Sequence, residues 1–167
     1  MPDNDDLIRN AEAYAAGFDR GRLERPPRRR LAVVTCMDAR INLFLLLGLR
    51  EGDAHIIRNA GGVITDGEIR SLAISQRLMG TREIILIHHT DCGMQAFNDR
   101  EFRAELEAET GVPAPWDTGT FEDLDLDVLK SIARVRESPF IPHSDKVRGF
   151  VYEVETGVLR EVAQATA

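Results

Sequence analysis

The sequence predicts an α/β fold: a central, mostly parallel four-stranded sheet with an antiparallel edge strand, flanked by helices. Three observations predict it. The chain alternates short apolar runs with segments of helical periodicity, the pattern of strand–helix–strand units. Three of the apolar runs are rich in β-branched residues and show little polar alternation, as strands buried on both faces do. The last apolar run leads through a glycine into a second short run, which reads as a hairpin adding an antiparallel strand.

Each element follows in order. Residues 5–18 read as an amphipathic helix with Leu7, Ile8, Ala11, Tyr14 and Ala15 on one face, suited to packing on a partner subunit. LAVVTC (Leu31–Cys36) is the first strand, AHIIR (54–58) the second and EIILIHH (Glu83–His89) the third. Between them lie INLFLLLGL, from Ile41, and DGEIRSLAISQRLMG, where Gly80 marks a helix end. Residues 98–110 and 121–137 also read as helices, separated by the Pro- and Gly-containing loop GVPAPWDTGT. GFVYEV supplies a fourth strand, and VETG followed by VLREV turns back at Gly157. No repeat or linker interrupts the chain, so residues 1–167 are expected to form a single domain, with 1–30 as an N-terminal helical arm.

Composition narrows the function. A chain of 167 residues with 43% apolar and 29% charged residues is ordinary for a globular domain with a substantial core. Its net charge of −7 and lack of a basic stripe argue against a nucleic-acid partner. Arg28, Arg29 and Arg30 form a local basic knot, read as the solvated start of the first strand. No apolar run approaches the roughly 20 residues needed to span a bilayer, and MPDNDD has no signal-peptide character, so the expected location is the cytoplasm.

Cys36 and Cys92 are the only cysteines, and each stands where a buried strand should give way to a loop. In a reducing compartment a disulfide between them is disfavoured. His89 precedes Cys92 by three residues, so one turn can present an imidazole and a thiolate to the same ion. Ligands in open α/β sheets gather at the carboxyl ends of the strands, which would bring the distant Cys36 to the same place. Two thiolates and one imidazole make three zinc ligands and leave the fourth tetrahedral position for water or a carboxylate, a catalytic pattern.

The runs CMDAR, RNAGG and HHTDCG, in this order and spacing, resemble the β-class carbonic anhydrases, and in particular their short bacterial and mycobacterial branch. The resemblance implies one zinc ion per subunit, bound by Cys36, His89 and Cys92, with water in the fourth position. It implies that zinc-bound hydroxide attacks carbon dioxide to give bicarbonate. It also implies that Asp38 accepts a hydrogen bond from the zinc-bound water while Arg40 holds that carboxylate off the metal. Released from Arg40, Asp38 would become a fourth ligand and close the site. Coordinated water has a pKa of about 7 in three-histidine zinc sites. Two thiolates cancel the metal's formal charge, so here activity is expected to rise toward alkaline pH.

RNAGG, from Arg58 to Gly62, is expected to lie beside the site, where glycines permit close approach. His55, His88 and His143 are candidates for proton exit on titration range alone, and Asp91 is read as orienting its loop. Against the plant members, Pro27 replaces a glutamine and His55 and Ile74 replace pocket aromatics. Val33 stands where bicarbonate-regulated members carry tryptophan, and His88 and Met94 replace glycines. Relatives with the same ligands hydrolyse carbonyl sulfide or carbon disulfide, so that activity is the alternative reading. A non-catalytic, zinc-stabilised binding protein is a third. The family's assembly implies a homodimer or a dimer of dimers.

Overall fold

The computed structural model describes residues 4–19 and 21–162. In chain order the elements are α1 (Asp5–Ala16), β1 (Leu31–Cys36), α2 (Leu43–Leu47), β2 (Ala54–Asn59), α3 (Asp66–Met79), β3 (Glu83–His89), a 3₁₀ turn (Gly93–Gln95), α4 (Asp99–Thr110), α5 (Leu124–Glu137), β4 (Val147–Tyr152) and β5 (Leu159–Glu161). The strands form one sheet in the order β2-β1-β3-β4-β5. The first four are parallel and β5 runs antiparallel to β4, as the sequence predicts.

β1 lies between β2 and β3, and all six of its residues are buried, which is why LAVVTC carries no outward polar residue except Thr35. The Thr35 hydroxyl donates to the Ile87 carbonyl at 2.8 Å and so costs little when buried. On one face of the sheet Ala32, Val34, Ile84 and Leu86 pack with Leu72 of α3 and with Val128, Ile132 and Val135 of α5. On the other face Val33 and Ile87 meet Leu43 of α2, Met94 and Phe121. The helix α5 comes very close to β4 at Gly149, where a Cβ would stand 2.8 Å from Ile132 Cδ1 and closer still to Val128.

Local chemistry sets the helix ends. Thr65 and Glu68 form a capping box at the start of α3, and Gly80 closes it in the left-handed conformation at φ 71°. Asn98 caps α4 by accepting from the amides of Arg100 and Glu101. α5 begins at Leu124 rather than 121, because Asp123 accepts from the Leu126 amide and Phe121 turns inward to the core. The run from Ile41 makes only a five-residue helix, ended by Gly48 at φ 61°. β4 starts two residues earlier than the expected 149–154 and stops at Tyr152.

None of the α1 side chains is buried, and Leu7, Ile8 and Tyr14 stay exposed. Of the expected 1–30 arm and 1–167 domain, residues 1–3, 20 and 163–167 lie outside the described residues. Arg28 and Arg29 both reach Asp53, at 2.9 and 3.7 Å, which ties the segment before β1 to the start of β2. No helix among the described residues is long and apolar enough to cross a membrane.

Candidate metal centre

β1 and β3 are adjacent parallel strands, with Thr35 level with Ile87, so both run out at the same end of the sheet. Cys36 closes β1 and His89 closes β3. Cys92 follows in the turn after β3, and the ligand atoms of Cys36, His89 and Cys92 all lie within 4.8 Å of one another. All three residues are buried, and both cysteines are free thiols.

The protonation of this cluster follows from its contacts. His89 Nδ1 lies 2.9 Å from the Thr90 carbonyl, which can only accept, so the proton sits on Nδ1 and the Nε2 lone pair points away from it. That Nε2 atom is buried and has no hydrogen-bond partner. Burial opposes a charge on His89, but the neighbouring Cys36 outweighs it and raises its pKa. Within the pair, the hydrogen bond from Cys92 lowers the Cys36 pKa against the effect of burial. Cys92, the donor of that bond, has its pKa raised.

This arrangement fits a zinc ion. An orphaned imidazole lone pair inside a protein costs free energy, which a coordinated cation would recover. Two soft sulfurs and one imidazole are a donor set that zinc favours, and one tetrahedral position would stay open.

Asp38 and Arg40 stand at the mouth of the cluster. Arg40 donates from Nε to Asp38 Oδ1 at 3.0 Å and from a terminal nitrogen to Oδ2 at 2.8 Å, and its backbone amide donates to Oδ1 at 2.8 Å. These bonds hold the Asp38 carboxyl well below the usual carboxylate range. Asp38 Oδ2 lies 3.9 Å from His89 Nε2, close enough to approach an ion at the cluster.

Arg58, the first residue of the RNAGG run expected beside the site, and Asp91, read from the sequence as orienting its loop, tie this region together. Arg58, at the end of β2, donates to the carbonyls of Cys36 and Asp38 at 2.9 and 2.7 Å. Asp91 accepts from Arg40 at 2.6 Å, and its own carbonyl accepts from Arg40 at 2.8 Å. The RNAGG loop packs against the same strand ends, and Gly62 at φ 72° leaves no room for a side chain beside Cys36.

The three other histidines lie elsewhere. His88 points into the opposite face of the sheet, with Nδ1 3.3 Å from Asp127 and its ring 5.7 Å from that of Phe121. Burial pushes its pKa down to about 4. His55 bonds Ser75 at 2.7 Å near the start of β2. His55 is level with Ala32, four residues before Cys36, or about 13 Å back along the strand. The backbone of His143 pairs with Gln76, beside a cavity at the start of the strands.

Val33 and Met94 are buried in the core cluster, and Ile74 is exposed.

The sequence profile of the carbonic anhydrase family matches residues 31–116. Beta-carbonic anhydrase 1 of Mycobacterium tuberculosis is 50% identical to this chain, over 97% of the chain and 99% of that protein. A carbon disulfide hydrolase of an Acidianus species is 37% identical, over 96% of the chain and 89% of the hydrolase. Among solved structures, the carbonic anhydrase of Streptococcus mutans superposes with a TM-score of 0.87 at 43% identity, covering 98% of this chain and 99% of that one.

Proposed function

Because the chain belongs to the β-carbonic anhydrase family, we propose that it converts carbon dioxide and water reversibly to bicarbonate and a proton, using one zinc ion per subunit held by Cys36, His89 and Cys92. The observation that carries this reading is the buried cluster of two thiols and an imidazole whose Nε2 has no other partner. When bound there, zinc supplies a Lewis acid that acidifies water to a nucleophile near neutral pH.

The chain's own residues supply positioning. Thr90 accepts from Nδ1–H and so fixes the His89 tautomer that leaves the Nε2 lone pair to bind the metal. Arg58 holds the Cys36 and Asp38 carbonyls, and so fixes both the sulfur and the carboxylate on one loop. Asp38, ionised throughout the neutral range, can only accept hydrogen bonds. It therefore orients the attacking water by accepting its O–H and directing an oxygen lone pair at the carbon of carbon dioxide. With so low a pKa it is a poor base, and the proton passes on to solvent. Arg40 keeps the carboxylate from taking the fourth position itself.

A second reading is hydrolysis of carbonyl sulfide or carbon disulfide, favoured by the likeness to the Acidianus carbon disulfide hydrolase. The higher identity to a carbonic anhydrase supports carbon dioxide as the substrate. Homodimer or dimer-of-dimers assembly belongs to the same proposal. It is supported by the exposed apolar side chains Leu7, Ile8 and Tyr14 on α1, and a stable, active monomer on sedimentation would refute it. Two buried, unpaired thiols suit a cytoplasmic location.

The decisive experiment measures zinc content with turnover on carbon dioxide and on carbon disulfide, before and after chelation. One zinc per chain is expected, with hydration lost on chelation and restored by zinc. Full hydration without metal, or sulfide release with negligible hydration, would overturn the reading.

A further inference from the structure

We propose that Asp91 is a positioning residue that decides, through Arg40, whether Asp38 stays in the dyad or moves onto the metal. The inference rests on the reading of Cys36, His89 and Cys92 as zinc ligands.

The planar guanidinium of Arg40 is gripped from two sides. Its Nε and one hydrogen of a terminal nitrogen serve Asp38. The other terminal nitrogen donates to the Asp91 carboxylate at 2.6 Å, and the remaining hydrogen of the first serves the Asp91 carbonyl at 2.8 Å. The two aspartates thus use different N–H groups and do not compete for a proton. Asp91 holds the far edge, so the near edge cannot rotate away from Asp38.

The contact also joins the two ligand-bearing loops, since Asp38 and Arg40 follow Cys36 while Asp91 lies between His89 and Cys92. Asp91 adopts the left-handed backbone region at φ 52°, where glycine would be the relaxed choice. Its side chain is 79% exposed, so core packing does not account for an aspartate there. The grip on Arg40 does. Asp38 Oδ2 is only 3.9 Å from His89 Nε2, so a loosened Arg40 leaves the carboxylate a short path to the metal.

The test uses the cobalt(II)-substituted protein at one fixed pH. Its visible spectrum distinguishes a fourth carboxylate ligand from solvent, and D38N, which lacks that carboxylate, serves as the open reference. D91N keeps the side chain's shape and tolerates the left-handed backbone, whereas D91G relaxes the backbone and removes the side chain. For an exposed ion pair, both variants should raise the ratio of closed to open centres by about two- to fivefold. Turnover should fall with the open fraction while KM is unchanged. An open fraction in D91N equal to or above that of the parent overturns the inference. So does a rise in closed centres in D91N but not in D91G, because the effect would then belong to the asparagine. If cobalt(II) and zinc bind neither the parent nor D38N, the metal-site reading itself falls and the inference with it.

Discussion

Gly62 lies against Cys36 so closely that a Cβ built on it would stand 2.8 Å from the Cys36 amide nitrogen and 2.9 Å from the Thr35 carbonyl carbon. The RNAGG loop is thus seated directly on the strand end that carries Cys36, one of the proposed zinc ligands. Its backbone conformation, at φ 72°, also excludes ordinary side chains. In G62A a strained backbone and a displaced Cys36 should appear together. We expect a loss of about 1–3 kcal/mol in stability from the strain alone, with a clear drop in zinc affinity. Urea unfolding and chelator competition would show both, and a G62A protein with parental zinc affinity would contradict the argument.

Gly149 provides the contrasting case. There a Cβ would collide with Val128 and Ile132 of α5, away from the metal cluster. G149A should destabilise the fold by about 1–3 kcal/mol through overpacking, while zinc affinity measured on the folded protein stays unchanged. A matching loss of zinc affinity would show that α5 is coupled to the site.

Arg40→Ala removes the groups that restrain Asp38. Turnover on carbon dioxide at neutral pH should fall by about 10- to 100-fold, the usual cost of losing a residue that orients a group at a metal. The zinc should remain bound, now with Asp38 as fourth ligand. X-ray absorption of the zinc shell checks the second part, and unchanged turnover with solvent still on the metal would reject the role.

Burial lifts the Asp127 carboxyl to about 6, above an ordinary value of 3.8. The folded state then binds this proton more tightly than the unfolded chain, so the Asp127 contribution to stability falls as pH rises between those two values. D127N removes that penalty. Relative to the parent, its stability should be little changed near pH 4 and higher at pH 7, by on the order of 1–3 kcal/mol. Denaturant midpoints at the two pH values measure the difference. A variant-to-parent gap that does not grow with pH would contradict the assignment.

The features legible in the sequence are those in which residue type alone carries the information. Leu31–Cys36 and Glu83–His89 match their expected bounds because strands covered on both faces have no choice but continuous apolar composition. Cys36, His89 and Cys92 stood out because the chain has so few cysteines and places them at strand ends. The Arg58 bonds to Cys36 and Asp38 left no trace, since their acceptors are backbone carbonyls that any residue supplies. Asp127 looks like an ordinary first-turn acid of α5, and only the packing of that helix on β3 brings it to His88. The start of α5 was misplaced for a similar reason, because Phe121 has the apolar character of a helix face but is claimed by the core beside Met94.

The parallel pairing of β1 with β3 also has a kinetic consequence. Cys36 and His89 are separated in sequence by α2, β2 and α3, so the proposed ligand set can assemble completely only after a long crossover has closed. Such non-local contacts form late and slowly. The proposed zinc site is therefore complete only once the sheet has formed. Zinc should act as a latch on the finished sheet, slowing unfolding while leaving the rate of folding almost unchanged.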